Sequence, residues 1–257
     1  LMHPRRVLRG VHQGVKDGGN QSGIPNLNGA IVFHERFLGK PLVFCGTGGL
    51  IPATINGKPS HEKCAKPGDL IVMCGGRIGK DGIHGATFSS EELHEGSPTT
   101  AVQIGDAITQ KKMADFLLEA RDRGLFSNIT DNGAGGLSSS IGEMAKGSGG
   151  AVIHLDRAPL KYPGLAPWEI FLSEAQERMT LGVPPAKKDA FLDLANRREV
   201  EATVLGEFTD SGRLECFYEN KLIGALDMNF LHDGVPKMHL QAKWTPPTPK
   251  PEIAIQK

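Results

Sequence analysis

The chain has 257 residues, enough for one large domain or two small ones around a sizeable core. Its 29 basic and 29 acidic residues cancel, so no global field draws in nucleic acid or an anionic membrane, and any anion site must be local. Thirty-three glycines with only 6% aromatic residues suit an α/β protein with many tight turns better than an all-β sandwich.

Four cysteines, Cys45, Cys64, Cys74 and Cys216, lack any paired spacing. They read as reduced thiols in the cytosol and give no zinc signature. No apolar run reaches membrane-spanning length, and Arg5 and Arg6 precede no signal-peptide core. From Arg6 to Gly18, Val7, Leu8, Val11 and Val15 carry helical spacing, and Gly18-Gly19-Asn20 reads as the stop. Ala30–Phe33 and Pro41–Thr47 then read as two strands of a hairpin across Gly39-Lys40. A polar connector with His61, Lys63, Lys66 and two prolines marks a domain boundary near residue 66.

Leu70–Cys74 is an apolar run of strand length. It feeds Gly75 to Ser90, in which five glycines lie among Arg77, Lys80, Asp81 and His84. Such a loop lets main-chain N–H groups approach an anion, with Gly85, Ala86 and Thr87 as candidate donors and Arg77 and Lys80 as charge; it equally suits a flexible surface turn. His84 reads as a structural histidine and not a catalyst. Glu91 to Thr100 is polar and reads as mobile. Asp106 or Thr109 caps a helix with Met113, Phe116 and Ala120 on one face, closed by Arg123-Gly124.

A strand over Leu125–Thr130 delivers Asp131, followed by Gly133, Gly135, Gly136 and a helix from Leu137 to Ala145. A carboxylate there can hold Mg²⁺ while the glycines and helix start face phosphate, or it can simply cap the helix. Ala151–Leu155 is a strand, Asp156–Pro167 a proline-rich loop, and Trp168–Leu172 a short helix. Ser173–Met179 follows as a charged junction that would ordinarily be a solvated turn, with Thr180–Val183 a strand behind it. A helix after Pro184-Pro185 and a meander of strands close the fold, with a hairpin turn at Asp210-Ser211-Gly212 between Val200–Phe208 and Arg213–Tyr218. Past Trp244 the prolines make an extended linker.

Gly76-Arg77-Ile78-Gly79-Lys80-Asp81-Gly82-Ile83-His84-Gly85-Ala86-Thr87-Phe88-Ser89-Ser90 resembles a signature of phosphoribosylformylglycinamidine synthase. Val102–Asp106, Ile129–Ser140 and Ser173–Met179 match further strings of that family in its order, and Gly18–Pro25 resembles a weakened one. The resemblance runs from about the first turn of the chain to about Phe230. It implies the aminoimidazole ribonucleotide synthetase-like fold: a three-layer α/β/α C-terminal-type domain over 67–242, preceded by the tail of an N-terminal-type ATP-binding domain over 1–66 and followed by a linker over 243–257.

The resemblance also implies ATP and Mg²⁺ as cofactors, with Asp131 as metal ligand and Gln103, Glu174, Ala175 and Gln176 at the substrate. It implies a ligase reaction in purine biosynthesis, in which ATP activates an amide oxygen as an iminophosphate and ammonia from a glutaminase partner displaces phosphate. Other expected partners are the remaining domains of the parent synthetase and a second copy of the chain.

Asn28, Ala30, Asn132 and Ala175 depart from the family pattern, which usually has glycine, glutamate, methionine and serine there. The catalytic histidine and the other metal ligands lie upstream in the family, so no catalytic residue is assigned and the fragment is expected not to turn over. A related ATP-dependent synthetase of the same superfamily and a non-catalytic, nucleotide-holding half-domain are the other readings of these strings.

Overall fold

A computed structural model gives the structure for residues 2–38, 40–91, 95–97 and 99–246. The predicted linker from residue 247 onward, Gly39 of the predicted hairpin, and residues 92–94 and 98 of the polar segment lie outside the described residues.

In chain order the elements are α1 (Pro4–Ser22), β1 (Thr54–Ile55), β2 (Lys58–Pro59), β3 (Leu70–Gly75), α2 (Gly85–Ser89), α3 (Ala107–Asp122), β4 (Asn128–Asp131) and α4 (Gly136–Ser148). Then come β5 (Gly150–His154), α5 (Pro167–Leu172), β6 (Arg178–Val183), α6 (Lys188–Arg197), β7 (Ala202–Thr209), β8 (Arg213–Tyr218), β9 (Lys221–Asp227) and α7 (Met228–Asp233).

The long sheet has the order β4-β6-β3-β7-β5-β8-β9, antiparallel throughout except for the parallel β5–β8 pair. β3 lies in its interior, and its side chains alternate between two cores. Ile71 and Met73 join Leu137, Ile141 and Ala145 of α4, Ile170 of α5 and Met228 of α7. Val72 and Cys74 join Met113, Phe116 and Ala120 of α3 and Phe191 and Leu194 of α6. The Phe116 and Phe191 rings meet edge to face with centroids 5.0 Å apart. Helices thus cover both faces, and the architecture is the predicted α/β/α sandwich on a mixed sheet.

Three local expectations are corrected. Helix α1 does not stop at Gly18 but runs to Ser22, where Gly23 takes φ +72° and its N–H bonds Gly19 O. Among the described residues of Ala30–Thr47 no hairpin forms: Ile31, Val32, Phe33, Leu42, Val43 and Phe44 are exposed, and a two-stranded ladder without apolar burial is marginal. Asp210-Ser211-Gly212 joins strands that are not neighbours, since β5 lies between β7 and β8. The hairpin of this region is β8–β9, turned by Glu219 and Asn220 at φ +48° and +61°.

Candidate functional site

Both glycine-rich loops converge on the Ser173–Glu177 segment between α5 and β6. At the end of β3, Gly75 has φ +105°, and a Cβ there would sit 2.1 Å from Glu177 O. At the start of α4, Gly136 has φ +58°, and its Cβ would sit 2.1 Å from Ser173 O. Glycine is required at both positions because a distant strip of backbone passes against them. The Gly76 N–H donates to Glu177 O at 2.8 Å, pinning the first loop to the segment.

Glu174 ties the two loops together. It is 4% exposed, and its Oε2 accepts the Ala86 N–H at 2.8 Å and the Gln103 Nε2 at 3.3 Å, while Oε1 accepts the Gly135 N–H at 3.0 Å. A buried carboxylate is stable here because main-chain dipoles from both loops face it. The neighbouring N–H groups are also engaged: Gly133 donates to Asp131 Oδ1 at 2.9 Å, Gly136 to Gly133 O at 2.9 Å and Gly85 to Gly82 O at 2.8 Å. Thr87 is exposed on the five-residue α2. His84 is exposed at φ +59° just before α2, and its side chain makes no cap bond.

Arg178 fixes the segment from beneath. Its guanidinium is buried and donates from Nε to Ala175 O at 2.8 Å and from Nη2 to Ser173 O, with Nη1 facing Met73 Sδ at 3.9 Å. Burial lowers its pKa to about 10, partly offset by Asp81. The planar fork replaces water with carbonyls it can reach without bending. Ser173 Oγ adds a bond to Gly79 O at 2.7 Å.

Two clefts open on either side of Gln176 and Glu177, which line both. One, of about 440 Å³, is walled by Gly75, Gly76, Arg77, Asp106, Lys112 and Lys161. The other, of about 260 Å³, is walled by Asp131, Asn132, Gly133, Ala175, Arg178 and Met179. Burial pushes the Glu177 carboxyl upward against the lowering influence of the Asp106 N–H. The cations of the first loop are paired: Arg77 Nε with Glu201 at 2.8 Å and Lys80 Nζ with Glu169 at 3.2 Å.

Asp131 is exposed at the end of β4. Among the described residues no three His, Cys, Asp or Glu side chains gather as a metal cage. One carboxylate in an open cleft still suits Mg²⁺, which commonly binds one or two carboxylates and takes its other ligands from water and phosphate.

The structure therefore brings Glu174, Gln103, Ala86 and Gly135 into one hydrogen-bonded cluster, and Asp131, Gly133, Ala175 and Gln176 into one cleft. Arg77 lines the other cleft, while Lys80 turns to Glu169. Sequence reasoning gave no role to Arg178, Glu177 or Lys161. Arg178 and Glu177 stood inside a quoted motif; Lys161, which pairs with Asp81 at 2.8 Å, sits in a proline-rich loop and carried no signal.

This buried carboxylate between two glycine turns, on a mixed sheet layered by helices, belongs to a recognisable class. Residues 66–219 match the family described as AIR synthase related protein, C-terminal domain, and the chain belongs to that family. Within it, the similarity is to phosphoribosylformylglycinamidine synthase subunit PurL. The chain is 39% identical to the PurL of Staphylococcus haemolyticus over 242 residues, 93% of this chain and 33% of that one. It is 35% identical to the Thermotoga maritima PurL over 232 residues, 90% of this chain and 38% of that one. The solved structure of T. maritima PurL complexed with FGAR superposes with a TM-score of 0.67 at 34% identity, covering 76% of this chain and 32% of that one. The same protein complexed with ATP gives 0.62 at 30%, covering 75% and 30%. The chain spans roughly a third of the length of these relatives.

Proposed function

We propose that this chain forms the substrate side of an ATP-dependent ligase of purine biosynthesis that converts formylglycinamide ribonucleotide to formylglycinamidine ribonucleotide with glutamine-derived ammonia. The supporting observation is the convergence of both glycine loops on residues 173–177, with Asp131 and Gln176 in one adjoining cleft. Solved relatives complexed with FGAR and with ATP carry the same fold. In this reading residues 1–66 are the tail of the ATP-binding domain, 67–242 the substrate domain and 243–257 a linker.

Gln103, Glu174 and Gln176 face the ribotide, with Ala175 presenting only a methyl. Arg77 and Lys80 exchange their carboxylate partners for ligand phosphate; the exposed Arg77–Glu201 pair is weak, and Glu169, which is largely covered, keeps the Ala166 N–H as a partner when Lys80 leaves. Main-chain N–H groups of Gly85, Ala86, Thr87, Gly133, Gly135 and Gly136 take part where the loops open. Asp131 would hold Mg²⁺, which when bound neutralises charge on the transferring phosphoryl group. The chain works in the cytoplasm with the remaining domains of the synthetase and a glutaminase, and does not turn over without them.

A second reading, a non-catalytic half that braces the assembly, is favoured by one observation: the N–H groups of Ala86, Gly133, Gly135 and Gly136 all donate within the protein. Thermal shift of the chain separates the two. Stabilisation by formylglycinamide ribotide, with an ATP and Mg²⁺ response lost in Asp131→Asn, supports the ligase reading. A nucleotide response alone, unchanged in Asp131→Asn, supports the brace.

A further inference from the structure

The proline-rich loop between β5 and α5 is clasped to the first glycine loop. Ile78 and Leu160 form a parallel bridge, in which the Ile78 N–H donates to Pro159 O at 2.9 Å and the Lys161 N–H donates to Ile78 O at 2.8 Å. Beside the bridge, the Lys80 N–H donates to the Tyr162 hydroxyl at 2.8 Å. That hydroxyl accepts the bond and keeps its own proton to donate. Among the described residues no acceptor takes the proton, and Tyr162 is 43% exposed.

Two ion pairs flank this hydroxyl. Lys161, next to Tyr162 in the chain, pairs with Asp81, and Lys80, whose N–H the tyrosine holds, pairs with Glu169. In each the carboxylate is the covered partner, 10% and 12% exposed, and the ammonium the open one, 34% and 43% exposed. The four charges cancel in sum, yet water meets two cations and a hydroxyl proton with the anions behind them, which gives a local anion-attracting surface. Lys161 also lines the 440 Å³ cleft shared by Arg77 and Gln176. The acids of that cleft are engaged: Glu201 with Arg77, Glu199 with Lys112, Asp106 with the Ile108 N–H and the Thr109 hydroxyl, and Glu177 with the Asp106 N–H.

We propose that Tyr162 and Lys161, together with Lys80, form a phosphomonoester subsite at the rim of this cleft, where the Tyr162 hydroxyl and the two ammoniums donate to the phosphate of the bound ribotide. A phosphomonoester carries close to two negative charges at neutral pH, which two ammoniums balance. Both lysine stems are flexible and can swing from their carboxylates toward the hydroxyl that lies between them. The proposal rests on the reading of the chain as the ribotide side of a ligase and adds the residues that hold the phosphate end. Asp131 and the phosphoryl transfer stay in the other cleft, with Gln176 lining both.

The test labels the two tyrosines of the chain, Tyr162 and Tyr218, with fluorotyrosine and follows them by fluorine NMR. The Tyr162 signal is assigned by its loss in Tyr162→Phe or its persistence in Tyr218→Phe. Ribose 5-phosphate should shift that signal saturably, and ribose should not. By titration calorimetry, Tyr162→Phe and Lys161→Gln should each raise the ribose 5-phosphate dissociation constant by about tenfold. Lys161→Gln, in which the Tyr162 signal remains visible, carries the test if Tyr162→Phe does not fold. Binding of ribose 5-phosphate with the Tyr162 signal unmoved, or with unchanged strength in the variants, overturns the proposal and leaves the ribotide reading standing. A shift produced by ATP and not by ribose 5-phosphate overturns the phosphomonoester assignment. If the wild type binds no ribose 5-phosphate at millimolar concentration the proposal falls, and formylglycinamide ribotide titrated in parallel decides whether the ligase reading falls with it.

Discussion

Glu174 and Gly135 lie 39 residues apart, yet the glutamate Oε1 sits 3.0 Å from the glycine N–H, and through Oε2 the same carboxylate reaches Ala86 on the other loop. One side chain thus sets the spacing of two loops that the sequence presents as separate anion cradles. Glu174→Gln keeps one acceptor oxygen and turns an NH₂ against a main-chain N–H, so it should lower unfolding stability by about 2 kcal/mol in urea titration, and Glu174→Ala by about 3 kcal/mol. Amide exchange at Ala86 and Gly135 should accelerate together in both variants. Faster exchange at only one of the two would mean that the loops are held independently.

Gly136→Ala tests the close approach at the start of α4. The added methyl would overlap Ser173 O, and the left-handed φ penalises it further. A loss of about 3 kcal/mol or more is expected in thermal or urea unfolding, in line with core overpacking combined with backbone strain. Gly212→Ala, with φ +72° and nothing near its Cβ, serves as the strain-only control and should cost less.

Thiol labelling should divide the cysteines two and two. Burial pushes the Cys74 thiol up to about 12 and the Cys216 thiol up to about 11, while Cys45 and Cys64 are exposed. Iodoacetamide at pH 8 should therefore modify Cys45 and Cys64 in the folded chain and all four after denaturation, as read by intact mass. Rapid native modification of Cys74 would contradict its place in the core beneath α3.

Glu177 supplies a pH dependence of known sign. Its carboxyl titrates above the usual glutamate range when folded, mainly through burial, so the folded chain binds this proton more tightly than the unfolded one. Stability contributed by the protonated form is present below the unfolded value and is lost as pH rises through the folded value. Glu177→Gln should remove that loss, making the variant relatively more stable at pH 7 than at pH 4. A variant whose stability relative to wild type does not change between those pH values would exclude the burial effect.

Much of the fold was legible in local pattern. The unbroken apolar run Ile71, Val72, Met73, Cys74 has the length of a buried strand, and Met113, Phe116 and Ala120 carry the spacing of one side of a helix, as the structure shows them. The capping by Asp106 was equally local, its Oδ1 taking the Ile108 N–H at 3.2 Å. The hairpin over 30–47 was misjudged because β-rich composition forms a ladder only where something buries its face. The site was half legible. Glycines at 75 and 136 announce tight loops, but what makes them necessary is backbone from residues 173 and 177, which no window of sequence contains. The same holds for Arg178, whose partners are carbonyls and so leave no mark in residue type.

The phase of β3 has a consequence for the chemistry at its end. Its pairing with β7 shifts register between Ile71 and Val72, and its pairing with β6 runs unbroken to Gly75 opposite Arg178. Sliding β3 by one residue would exchange the contents of the two hydrophobic layers. It would also carry Gly75 away from the carbonyl it must clear. Whatever pins the greasy interior therefore also aims the loop, and a substitution deep in either layer can misdirect ligand contacts while touching none of them.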